Sequence, residues 1–229
     1  MSQPKTILIT GATGNLGTVV SQYFLAKGYT VIGTARSKDS TADNPSFHLY
    51  TVNLADEVEV AGFVARAAAD HGRIDAALLL AGGFAMGDIA ATSSAAIREQ
   101  VALNFETAYH VVRPLLSHMQ QNGRGRIVFT GSRPALEPKA GHSMLAYALS
   151  KALLFQLADM INAANRGSGI NAAVIVPGTI DTPANRQGMP DADFSTWVKP
   201  ESIAAALYFL VSESGSAVSD AVLKLYNGA

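Results

Sequence analysis

The chain has 229 residues, 48% of them hydrophobic and 15% charged, with a formal net charge of −1 and no cysteine. That length and balance suit one globular domain with a full core and exclude a disordered chain, and the near-zero charge leaves no basic footprint for nucleic acid or an anionic membrane surface. Without cysteine there is no disulfide, thiolate metal ligand or thiol nucleophile, which fits a reducing, cytoplasmic setting.

Short apolar runs alternate with longer helical patterns. Strands are expected at 6–10, 30–34, 47–51, 76–80, 126–130, 171–176 and 221–225, most of them bounded by Gly, Asn, Asp or Pro. Helices are expected at 15–27, 56–70, 93–121, 143–165 and 200–211. The first apolar run, Ile7-Leu8-Ile9, is too short for a signal-peptide core, and no stretch reaches the ~18 apolar residues of a membrane span. Strand–helix alternation predicts an α/β fold, a single Rossmann-type domain over 1–229. Its doubly wound parallel sheet has about seven strands, with helices on both faces. The one long loop is 181–199, with Pro183, Gly188 and Pro190, and residues 183–199 are expected to form a substrate lid.

Ligands of such sheets bind beyond the carboxyl ends of the strands, so the residues after each strand matter most. The first strand ends in Thr10-Gly11-Ala12-Thr13-Gly14-Asn15-Leu16-Gly17. Glycines at 11, 14 and 17 permit a tight turn, let backbone N–H groups approach a pyrophosphate at a helix N-terminus, and allow close helix–sheet packing. After the second strand, Arg36 stands about where an acidic residue would bind the ribose 2′-hydroxyl of NAD, with Thr34, Ser37 and Lys38 nearby. A guanidinium there can grip a 2′-phosphate bidentately, which favours NADP(H) over NAD(H); the alternative is a solvated surface arginine. The remaining strand ends contribute Asn53-Leu54, Ala81-Gly82-Gly83-Phe84, Ser132 and Pro177-Gly178-Thr179-Ile180-Asp181-Thr182. The Pro177–Thr179 backbone would approach the nicotinamide amide, with Thr182 adding a hydroxyl.

Tyr147 and Lys151 are four residues apart in a helical pattern, hence on one helix face. An ammonium beside a phenol is expected to pull its pKa down from ~10 toward working pH. Ser132 can hydrogen-bond a substrate carbonyl or serve as an ordinary turn residue. Asn104, a poor helix former in mid-helix, suggests a polar task such as holding a water, or a satisfied amide. Phe84, Met86, Met144, Met189 and Trp197, with His142 and Phe194, can line an aromatic, polarisable substrate pocket or simply pack. No spacing of histidines or carboxylates suggests a metal.

Together these residues resemble the short-chain dehydrogenase/reductase family. The resemblance rests on Thr10–Gly17, Ala81-Gly82-Gly83, Asn104, Ser132, Tyr147-x-x-x-Lys151 and Pro177–Thr182, in family order and spacing. It implies that Tyr147 is the general acid/base and that Lys151 binds the nicotinamide ribose and lowers the tyrosine pKa. It further implies that Ser132 orients and polarises the substrate and that Asn104 anchors a water in a proton relay. A narrower likeness, to the dihydropteridine reductase branch, is carried by Leu80–Phe84, Asp181–Arg186 and Met189–Trp197. That branch uses NADH and typically has a small apolar residue in place of Ser132, so Arg36 and Ser132 depart from it.

The reading is therefore an NADP(H)-dependent oxidoreductase reducing a small carbonyl or imine-like substrate, with Tyr147 as general acid. A pterin reductase is one alternative, and a non-catalytic NADP-binding regulator, which would often lose the Tyr–Lys pair, is another. Helices 93–121 and 143–165 are apolar over more than one stripe, which predicts a homodimer or homotetramer through them.

Overall fold

The computed structural model describes residues 5–37 and 44–227. Seven parallel strands form one sheet: β1 (Thr6–Thr10), β2 (Thr30–Ala35), β3 (Phe47–Thr51), β4 (Ala76–Leu79), β5 (Gly125–Thr130), β6 (Ile170–Pro177) and β7 (Val222–Leu225). Their order is β3-β2-β1-β4-β5-β6-β7. The winding direction reverses between β1 and β4, and this is the point where a parallel sheet opens a crevice for a ligand. Every expected strand is present, with ends within one residue of expectation.

The strands are nearly continuous runs of apolar residues because both faces of the sheet are covered. Alternate side chains serve opposite layers. Ile7 and Ile9 of β1 pack with Val20 and Phe24 of α1 (Asn15–Ala26) and with Ile203 and Leu207 of a C-terminal helix. Leu8 packs on the other side with Phe63 of α2 (Glu57–His71). That second layer continues through Leu115 and Met119 of one central helix and Leu154 and Ile161 of another.

Two departures from the sequence reading concern this second layer and one concerns the lid. The helix expected over 93–121 is three pieces: α3 (Ser94–Val101), a π-helical turn (Ala102–Glu106) and α4 (Thr107–Gln121). In the turn, the Thr107 N–H bonds Ala102 O, five residues back, and the Thr107 hydroxyl donates to Leu103 O at 2.8 Å. The helix expected over 143–165 is α7 (Leu145–Ala164), preceded by the single turns α5 (Arg133–Leu136) and α6 (Pro138–Gly141), which start at or beside a proline. The segment 181–199 contains α8 (Pro183–Gly188) and a 3-10 turn (Phe194–Thr196) before α9 (Pro200–Val211). It is folded, where a long irregular loop was expected.

Candidate active site

A cleft of about 790 Å³ lies over the carboxyl ends of the central strands. Its lining brings together Gly11, Thr13, Gly14, Asn15, Leu16, Gly17, Arg36, Ser37, Asn53, Leu54, Ala81, Gly82 and Gly83. Gly11 has φ +66°, a conformation that suits glycine. A Cβ on Gly17 would lie 2.0 Å from Gly11 O, so the helix could not pack this closely on the loop with any side chain there. Asp56 caps α2 by accepting from the N–H groups of Val58 and Glu59. α1, by contrast, has no side-chain cap and no acidic residue in its first turn. Its first N–H groups and dipole are therefore available to an anion in the cleft. Two threonines steady the floor: Thr34 Oγ1 accepts from Gly11 N at 3.3 Å, and Thr10 Oγ1 accepts from Ala81 N at 3.1 Å. Among the described residues, Arg36 is the only charged one lining the cleft, and it is exposed. Lys38 lies outside the described residues.

Of the residues expected to handle a proton, Asn104 and Lys151 lie beside Gly82. Lys151 is 4% exposed and donates to Thr130 O at 2.8 Å; burial lowers its pKa to about 8. Ser132 follows β5, is 4% exposed, and its Oγ is buried without a hydrogen-bond partner. The Tyr147 phenol is raised above its ordinary pKa by burial, with the neighbouring Ser132 hydroxyl pulling the other way. This corrects the expectation that Lys151 would bring the phenol down. Loss of solvation dominates, and the ammonium is engaged with the Thr130 carbonyl. Asn104 is 1% exposed, and both of its amide hydrogens are used, at 3.1 Å to Gln100 Oε1 and 3.1 Å to Ser150 Oγ. Its Oδ1 accepts from Gly83 N at 3.0 Å. A water held by this side chain would have only the second Oδ1 lone pair available.

The expected pocket residues divide. Phe84 is exposed and meets the Tyr147 ring edge-on, with centroids 5.1 Å apart. Met86 and Met189 are exposed, and Met144 is bridged to Gly87, which ties the loop after β4 to the start of α7. Trp197 is 6% exposed and packs on Phe194 at 4.7 Å, so it anchors the segment before α9 and presents little surface to a ligand. His142 is an exposed loop residue bonded to Lys139 O. Pro177 ends β6, and Gly178 N donates to Leu225 O at 2.8 Å. The Thr182 hydroxyl accepts from Asn185 N at 3.2 Å as the cap of α8. Thr179 and Val198 pinch the base of the segment 183–197, Val198 N donating to Thr179 O at 2.8 Å, and Ile180 is bridged to Val198. Arg186 of this segment pairs bidentately with Asp181 at 2.6 and 2.9 Å and lies over the Phe194 ring. Gln100, Ser150, Thr107 and Asn227 also serve this region and carry no signal in the sequence taken alone. Ser150 is the exception in one respect, lying inside the Tyr147–Lys151 spacing.

An all-parallel sheet with a glycine cradle at its reversal point, and buried Ser132 and Lys151 with half-buried Tyr147 nearby, defines the dinucleotide-binding class. The glycine cradle, the uncapped α1 and the width of the cleft fit a dinucleotide. The sequence profile of the short chain dehydrogenase family matches residues 5–193, and the chain belongs to that family. Among curated relatives, a dihydropteridine reductase of Dictyostelium discoideum is 28% identical over 93% of this chain and 90% of its own length. A 2,3-dihydro-2,3-dihydroxybenzoate dehydrogenase of Escherichia coli is 29% identical over 80% of this chain and 72% of its own. A crystal structure of an oxidoreductase of the same family from Burkholderia thailandensis superposes with TM-score 0.87 at 27% identity, covering 99% of this chain and 93% of that one. ElxO with NADP bound shares the fold at TM-score 0.90 and 22% identity, over 98% of each chain. Among the described residues no helix is long and apolar enough to cross a membrane, and no group of three or more His, Asp or Glu could hold a metal.

Proposed function

We propose that the protein is an NADP(H)-dependent reductase of a small carbonyl or imine-like substrate, with Tyr147 as general acid. The observation that carries this reading is the buried Ser132 hydroxyl without a partner, beside a phenol that burial keeps protonated. A substrate oxygen set between them would accept from both. Burying a hydroxyl with no partner is costly, and a bound carbonyl removes that cost. Lys151, on the next helical turn, sits where it can bond a ribose hydroxyl and hold positive charge near the phenol. A bound nicotinamide supplies the hydride. Ser132 orients the acceptor, Tyr147 delivers the proton to its oxygen, and residues 183–199 close over it to exclude water. Pro177, Gly178, Thr179, Ile180 and Thr182 complete the nicotinamide side, and Arg36 holds the 2′-phosphate.

Proton donation by a positioned acid contributes about 10²–10⁴-fold. Tyr147→Phe is therefore expected to lower kcat by about that factor and to leave the NADPH Kd within about threefold. Turnover near that of the parent protein would place the proton donor elsewhere.

The likeness to the Dictyostelium dihydropteridine reductase favours one particular substrate, a quinonoid dihydropterin, and an assay of the purified protein with it decides the point. Tight NADPH binding with no turnover of any carbonyl, imine or pterin would point instead to a nucleotide-binding regulator. The same reading includes assembly as a homodimer or homotetramer through α3, α4 and α7, and a cytoplasmic location.

A further inference from the structure

A run of buried side chains links the loop after β4 to the helix that carries Tyr147. The Gly83 N–H can only donate, so the Asn104 atom 3.0 Å from it is the oxygen. That assigns the rest of the network. Asn104 Nδ2 faces Gln100 Oε1 and Ser150 Oγ, and Ser150 Oγ donates onward to the Tyr147 carbonyl at 2.8 Å. Gln100, Asn104 and Ser150 are 5%, 1% and 0% exposed, so water does not substitute for any of these bonds. A Cβ on Gly82 would meet Asn104 Oδ1 at 2.5 Å and Lys151 Nζ at 3.2 Å, so the amide and the ammonium both crowd Gly82. Gln100 is one turn before Asn104, and the π-helical turn between α3 and α4 carries Asn104. Gln100 touches none of the reacting groups.

We propose that Gln100 is a positioning residue for the proton donor. Its Oε1 holds the Asn104 amide in the one orientation that bonds Gly83 and Ser150 together, and so fixes the first turns of α7 against the segment Gly82–Gly83. Tyr147 and Lys151 then keep their place relative to whatever lies on that segment. The catalytic part of this inference rests on reading Tyr147 as the proton donor; the structural part does not. Only the oxygen of Gln100 is used in the network, so glutamate in either protonation state retains the acceptor and leucine removes it. A buried N–H left without an acceptor is costly, and the amide relieves that cost by turning away.

The test compares Gln100→Leu and Gln100→Glu in the full chain. Two readouts need no turnover: hydrogen exchange at the Gly83 amide, and the ring resonance of ¹³C-labelled Tyr147. Gln100→Leu is expected to speed Gly83 exchange at least tenfold relative to distant sheet amides and to shift the Tyr147 signal, while Gln100→Glu leaves both near the parent. With NADPH and a reducible carbonyl, Gln100→Leu is expected to lower kcat at least tenfold at an NADPH stoichiometry of one per chain and a Kd within threefold; Gln100→Glu restores kcat. Equal losses in both variants, a loss of kcat that merely tracks lost cofactor stoichiometry, or an unchanged kcat in Gln100→Leu would overturn the proposal. If the parent protein reduces nothing offered, the reductase reading fails and the two resonances decide alone: unmoved signals sink the role of Gln100.

Discussion

Lys151 shows how a single buried charge can be costly to the fold. Its pKa is about 8 in the folded protein against 10.5 when solvated, because burial penalises the ammonium. Below about pH 8 the folded protein carries this penalty in full. As pH rises from about 8 toward 10.5 the folded lysine loses its proton before the unfolded one does, and stability from this group rises. At about 1.36 kcal/mol per pH unit the penalty is about 3 kcal/mol, against which the bond to Thr130 O returns about 1 kcal/mol. In cofactor-free protein, Lys151→Met is expected to be more stable than the parent at pH 7 by about 2 kcal/mol, with the advantage shrinking toward pH 10. Urea titrations at the two pH values check this, and a variant less stable at pH 7 would contradict it. Arg36 is the second residue whose charge bears on the proposed function. It is the one charged residue lining the cleft among the described residues, and on that proposal it favours a phosphorylated ribose. Arg36→Asp is expected to weaken NADPH by at least tenfold while changing NADH little, read as the ratio of kcat/KM values. An unmoved ratio would remove Arg36 from the cofactor site.

At the scale of elements, legibility followed periodicity. The β1–α1 cradle was readable because three glycines between an apolar strand and an amphipathic helix have few other uses. All the strands were readable because each is a short apolar run between turn residues. The π-helical turn was not. The sequence from Ser94 to Gln121 keeps a helical pattern throughout, and the extra residue in one turn comes from bonds between Asn104 and distant partners, Gly83 and Ser150. Asn104 itself was suspected because it is misplaced in a helix, but the pattern does not reveal which atoms satisfy it. Such turns recur at functional sites for this kind of reason: the added residue re-aims a polar side chain without ending the helix. The single turns α5 and α6 and the short helix α8 are too short to generate a periodic signal. Each begins at or next to a proline, Pro134, Pro138 and Pro183, and Pro183 fell in the stretch expected to be a long loop. The phenol's raised pKa was misjudged for a related reason. A four-residue spacing reveals that Lys151 is near, but not that both groups are withdrawn from water.

For the whole molecule, the sheet order and the placement of the cleft follow from parallel crossovers of one hand. Assembly is less directly specified. Leu149, Leu153 and Met160 of α7, Tyr109 of α4 and Leu103 of the intervening turn are between 38% and 65% exposed. Helices so apolar on their outer faces are expected to meet a second copy. Sedimentation at micromolar concentration is expected to show a dimer or tetramer in the parent and a smaller species in Leu149→Glu/Leu153→Glu. A parent protein that sediments as a monomer would refute the assignment.

The pinch between Thr179–Asp181 and Val198 has a consequence for how such a molecule diversifies. The excursion over 183–197 departs from and rejoins the framework at neighbouring points. Its content can therefore be exchanged as a cassette with the strands beneath left in register. On the proposed function, a foreign excursion grafted at these two points is expected to change ligand choice while Ser132, Tyr147 and Lys151 keep their arrangement.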